Sequence, residues 1–117
     1  MLRILIVEPR RPPIEATIDN NLESMQSVVG GLIQAVYPFS EPVALVCNEE
    51  GKYLGLSPNR ALRDDHGNAY DIICGTFFIC AAPPGSNKFK SLSDKQIEHY
   101  KQHLQRAEHF LNRGELI

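Results

Sequence analysis

Val43-Ala-Leu-Val-Cys-Asn-Glu-Glu-Gly51, followed by Pro58-Asn-Arg-Ala-Leu62 and Ile73-Cys-Gly-Thr-Phe-Phe78, sets the class of fold to expect. Short runs of β-branched, aromatic and small apolar residues, bounded by Asn, Gly, Pro or acidic clusters, suit a strand-rich body. Val43 to Cys47 reads as a buried strand, and Asn48 to Gly51 as a hairpin turn with Gly51 supplying positive φ. Lys52 to Leu56 is then the returning partner, and Ser57 to Arg60 a loop. Asp64-Asp65-His66-Gly67-Asn68 reads as a second turn, with Tyr70 to Ile73 and Thr76 to Ala81 as further strands.

Outward from that centre, Leu2 to Val7 is a continuous apolar run of the kind found in central strands. Arg10-Arg11-Pro12-Pro13 makes a stiff turn, because proline cannot donate to a ladder, and Ile14 to Ile18 returns as a strand. Asn20 offers an N-cap with Glu23 as its capping-box partner, Leu22, Met25 and Val29 recur at helical spacing, and Gly30 ends the helix. Leu32 to Tyr37 is a weakly alternating strand that stops at Pro38.

Beyond a polar linker, Ser93 and Gln96 form a second capping box, and Ile97, Tyr100, Leu104, Ala107 and Leu111 make one apolar stripe up to Gly114. The expectation is therefore one α+β domain with a mostly antiparallel, mixed sheet, one short helix and one long C-terminal helix. Its parts are a sheet-rich body over 1–82, a linker over 83–92 and the helix over 93–113.

A length of 117 residues allows one core and one domain, and the net charge of −2 lacks the basic excess of a general DNA or RNA binder. No apolar stretch approaches the ~20 residues of a membrane span, and Glu8 and Pro9 cut the apolar N-terminus too short for a signal peptide. Cys47, Cys74 and Cys80 lie inside apolar runs, the pattern of reduced, buried thiols in a cytoplasmic protein.

Val7-Glu8-Pro9, Ile18-Asp19-Asn20, Val29-Gly30-Gly31, Val36-Tyr37-Pro38-Phe39, Cys47-Asn48-Glu49-Glu50-Gly51, Pro58-Asn59-Arg60-Ala61-Leu62 and Gly75-Thr76-Phe77 are specific in combination. In this order they resemble the bacterial and phage family catalogued as Domain of Unknown Function 3846. The resemblance runs from Leu2 to about Tyr100, and Leu92-Ser93-Asp94-Lys95-Gln96-Ile97 is similar to the family's closing element. It implies no established activity. It does imply a setting on phages, plasmids and other mobile elements, where small domains without catalytic motifs often counter host defences.

The leading candidate site is the Asn59-Arg60 turn with Arg63 close behind, because two guanidinium forks near one turn suit phosphate or carboxylate. Tyr37, Phe39, Tyr53 and Phe77 offer ring faces for a base, and Asn48, Asn59 and Thr76 offer orienting polar contacts. The plain alternative is that both arginines pair with Asp64, Asp65 or Glu49 at a solvated edge while the rings belong to the core. His99 and His103 at i, i+4 have the spacing of paired metal ligands but no evident third partner, and a helix flank accounts for them. His66 among acids is explained by turn chemistry, the cysteines by burial, and Gly30-Gly31 lacks the spacing and lysine of a phosphate loop.

These readings favour binding over turnover, with no catalytic residue, metal or cofactor assigned. The expected function is a homo-oligomeric sponge that sequesters a nucleotide-derived, cyclic-oligonucleotide-like immune signal on behalf of a phage. The alternatives are an inhibitor or adaptor docking on a host defence enzyme, and a nucleotide-degrading enzyme.

Overall fold

A computed structural model describes residues 1–108 and residue 110. The chain runs β1 (Leu2–Val7), β2 (Ile14–Ile18), α1 (Leu22–Val29), β3 (Ile33–Val36), β4 (Val43–Asn48), β5 (Pro58–Arg63), β6 (Ala69–Cys74), β7 (Phe77–Ala81) and α2 (Asp94–His103). Five strands form one sheet in the order β2-β1-β7-β4-β3, and β5 with β6 forms a separate two-stranded ribbon. Each of these neighbouring pairs is antiparallel. The architecture is α+β, with a short first helix and a longer C-terminal one.

β7 and β4 stand at the centre because they are apolar on both sides, and the two-residue strand period sends alternate side chains to opposite faces. Phe78, Cys80, Ala44 and Val46 pack with Leu2, Ile4 and with Met25 and Val29 of α1. Phe77, Ile79, Val43 and Leu45 pack on the other face with Leu62 and Ile73 of the ribbon and with Ile97, Tyr100 and Leu104 around α2. The sheet is therefore a middle layer, with α1 on one side and the ribbon and α2 on the other. Among the described residues no helix is long and apolar enough to cross a membrane.

The caps at Gly30 and at Ser93 with Gln96 form as expected, but the Asn20–Glu23 capping box does not. Asn21, not Asn20, caps α1 by accepting from the Ser24 N–H at 2.8 Å, while the Asn20 amide donates to the Phe89 carbonyl at 3.1 Å. Gly30 closes that helix with φ +80. Ser93 and Gln96 cap α2 reciprocally. The C-terminal helix stops at His103, well short of residue 113. Continuing it would use the Leu104 carbonyl for the N–H four residues on. That carbonyl instead accepts from the Arg60 guanidinium at 3.0 Å. Leu111 and Gly114 lie outside the described residues.

Three further expectations are corrected. Lys52 to Leu56 is not a strand. β4 already has β3 and β7 as neighbours, and residues 50–56 close instead as tight turns, with the Leu54 and Leu56 N–H groups donating to the Glu50 and Gly51 carbonyls. Gly51 is absent from the positive-φ positions, and its glycine answers a different need. A Cβ there would sit 2.6 Å from the Cys74 carbonyl oxygen, so the turn can press on β6 only without a side chain. Finally, Asn59 and Arg60 are not in a loop: they belong to β5, and both are buried.

Asn59 is fully buried, and its amide donates to the Val7 carbonyl of β1 at 2.8 Å and the Gly75 carbonyl before β7 at 2.9 Å. One side chain thus ties the ribbon to the sheet. Replacing it leaves buried carbonyls without donors, each costing about 1–3 kcal/mol. Asn59→Ala is expected to lower unfolding stability by about 2–4 kcal/mol, read as a lower urea midpoint. A shift smaller than about 1 kcal/mol would show that water or a rearrangement replaces the tie.

Candidate functional site

Between the ribbon, the β3–β4 connection and α2, the described residues line a cleft of about 760 Å³. Leu45, Leu62 and Phe77 line its apolar part. Phe39, Glu41, His99, Tyr100 and His103 contribute from the β3–β4 connection and α2, and Arg60, Arg63, Asp64 and Asp65 from the ribbon. Arg106 and Glu108, beyond α2, complete the lining.

The α2 side is aromatic. Phe39 packs on Tyr100 with ring centroids 4.8 Å apart and meets His103 edge-on at 5.8 Å. His99 meets Tyr100 edge-on at 4.7 Å and lies nearly parallel to His103 at 6.2 Å. The Tyr100 hydroxyl donates to Glu41 Oε1 at 2.7 Å, and His99 Nε2 stands 4.0 Å from the same oxygen. Burial first, and then the bond to Glu41, raise the Tyr100 pKa above the ordinary phenol value.

The ribbon side is cationic, but its two arginines differ. Arg60 is 3% exposed and is committed inside the protein. Its Nη1 donates to Asn59 Oδ1 at 2.8 Å, and its Nη2 donates to the Arg11 and Leu104 carbonyls at 2.6 and 3.0 Å. Burial pushes the guanidinium pKa down, opposed by Glu108, and an arginine so placed stays charged. Arg63 is the exposed one. Its Nη2 donates to Glu108 Oε1 at 2.8 Å and its Nη1 to the Gly67 carbonyl at 3.2 Å.

Of the candidate residues, the cleft brings together Arg60, Arg63, Phe39 and Phe77. Phe77 is core, with no exposed surface. Asn59 lies behind Arg60 with its amide bound to carbonyls. Asn48 lines a separate, smaller cleft of about 300 Å³ and is held by the Val29 carbonyl and the Glu50 N–H. Tyr37 is exposed and Thr76 half-buried, and neither lines the main cleft.

Cleft residues that the sequence did not connect with the arginines are Glu41, His99, Tyr100, His103, Arg106 and Glu108. The i, i+4 histidine spacing was a signal for one pair of them, and the rest come together only through the fold. Asp64 Oδ1 accepts from the His66 and Asn68 N–H groups, both at 2.9 Å, which accounts for that turn. Among the described residues no three His, Cys, Asp or Glu side chains are grouped to hold a metal ion. The three thiols are free, and burial pushes Cys80 up to about 12.

In the unfolded chain a phenol ionises near pH ~10, whereas Tyr100 in the folded protein holds its proton to higher pH. A raised folded pKa contributes stability that is complete below the unfolded value and is lost as pH rises past it. Melting temperature is expected to fall between pH ~9 and ~12, with a shallower fall in Tyr100→Phe. Cys80, also raised, leaves a residual slope in the variant. Equal slopes for the two proteins would contradict the buried phenol.

No curated protein and no solved structure matches the chain. A family match covers residues 2–105, which hold every named strand and helix. On that extent the chain belongs to the family described as Domain of unknown function (DUF3846).

Proposed function

We propose that this protein is a non-catalytic binder that sequesters a small, phosphate-bearing, nucleotide-derived molecule in the cleft between the ribbon and α2. The observation that carries this reading is one cleft lined both by the rings of Phe39 and His103 and by the exposed side chain of Arg63. Aromatic rings with an arginine suit a base and a phosphate together. The mobile-element setting implied by the family resemblance makes an immune signal of the host the natural cargo, and anti-defence the role, in the host cytoplasm.

Magnitudes bear on stoichiometry. With Arg60 committed to carbonyls, one charge-assisted bond from Arg63 supplies roughly 1.5–3 kcal/mol. Two base stacks add about 2–6 kcal/mol. The gross total of about 3.5–9 kcal/mol falls short of the ~12 kcal/mol that nanomolar binding needs, before any ordering cost. A sponge built on this cleft therefore needs a second copy to share a symmetric ligand, such as a cyclic oligonucleotide.

A second reading, docking on a host defence protein, is favoured by a separate surface. Tyr53 (87% exposed), Leu54 and Tyr70 all expose large apolar area. The Lys52–Asp71 ion pair holds the two segments that carry them side by side.

The test is capture and release. The protein is incubated with cyclic and linear nucleotides, then heat-denatured, and the supernatant is separated by chromatography. Depletion of one nucleotide and its intact recovery are expected, with capture reduced at least ~10-fold in Arg63→Ala. Altered products would replace sequestration with degradation. No depletion across the panel would overturn the nucleotide reading in favour of protein docking.

A further inference from the structure

Glu108 reaches back from beyond α2 into the cleft, where its side chain is 18% exposed. Its Oε2 accepts the Ala61 backbone N–H of β5 at 2.5 Å, and its Oε1 accepts from Arg63 Nη2 at 2.8 Å. The buried guanidinium of Arg60, next to Ala61 on β5, lines the same cleft; its Nε has no hydrogen-bond partner among the described residues, and Glu108 favours its charged form. A strand N–H and an arginine N–H beside a buried cation make a site that can hold one end of a phosphate or carboxylate. Here the fold supplies the anion itself.

We infer that the Glu108 carboxylate occupies an anion subsite made by the Ala61 N–H and Arg63, and that a phosphate-bearing ligand binds by displacing it. The inference rests on the phosphate-ligand reading above and specifies where the phosphate sits. A tethered carboxylate competes at an effective concentration on the order of millimolar. A singly charged anion gains little by exchange, whereas a ligand with several phosphate charges can drive Glu108 out. The acids Asp64 and Asp65 line the same cleft, so the displaced carboxylate must leave the subsite, not shift within it.

The test titrates inorganic pyrophosphate into the full chain, followed by calorimetry and by the Ala61 backbone amide in NMR spectra. Glu108→Ala is expected to tighten binding about 10-fold or more, by removing the competitor. Glu108→Gln, which keeps an acceptor for the N–H but loses the charge, should fall between it and the wild type. Glu108→Ala combined with Arg63→Ala should lose the gain.

Binding by a folded Glu108→Ala that is no tighter than wild type, or an Ala61 amide that does not move, would overturn the displacement. If wild type still captured a nucleotide in that case, the cleft reading would stand without this subsite. Pyrophosphate binding at Ala61 with no nucleotide captured would instead remove the nucleotide and keep the anion subsite.

Discussion

Asn59 and Arg60, adjacent polar residues buried where ribbon, sheet and helix meet, form the junction on which the rest of the cleft side depends. A buried amide and a buried guanidinium are tolerable only when their hydrogen-bonding groups are matched. Here the match is made with main-chain carbonyls from four places: Val7 on β1, Gly75 before β7, Arg11 in the proline turn and Leu104 at the end of α2. Two neighbouring side chains thereby fix the relative positions of elements far apart in the chain. Removing either would leave several acceptors dry at once. Among the described residues, Arg60 Nε is the buried side-chain nitrogen of this junction without a hydrogen-bond partner.

That arrangement explains which parts of the fold were legible in the sequence. β1, β4 and β7 announce themselves as continuous apolar runs because both faces of the sheet are covered. The caps at Gly30 and at Ser93 with Gln96 are local hydrogen-bond patterns and could be read locally. β5 could not, because its two most buried positions, Asn59 and Arg60, are polar and resemble a turn. Nor could the end of α2, since the apolar stripe says nothing about a distant guanidinium claiming the Leu104 carbonyl. Lys52 to Leu56 looked like a hairpin partner because the sequence does not reveal that β4 finds both its neighbours elsewhere.

The same division holds for the candidate site. Arg63, Phe39 and Phe77 line one hollow with Arg60. The sequence could not separate the arginine that faces solvent from the one consumed by the framework. Glu108 was invisible as a participant, since nothing near it in the chain marks it as a neighbour of Ala61. The cleft is also less one-sided in charge than a cluster of arginines implies, with Glu41, Asp64, Asp65 and Glu108 around its cations.

The Arg60 bond to the Leu104 carbonyl fastens the end of α2 to the ribbon wall, beside the apolar cluster that Leu104 shares with Leu62 and Ile73. Backbone groups secured by a distant side chain do not fray independently of it. A shift of the ribbon that breaks this bond would therefore loosen the helix terminus, and faster amide exchange there would register it at a distance.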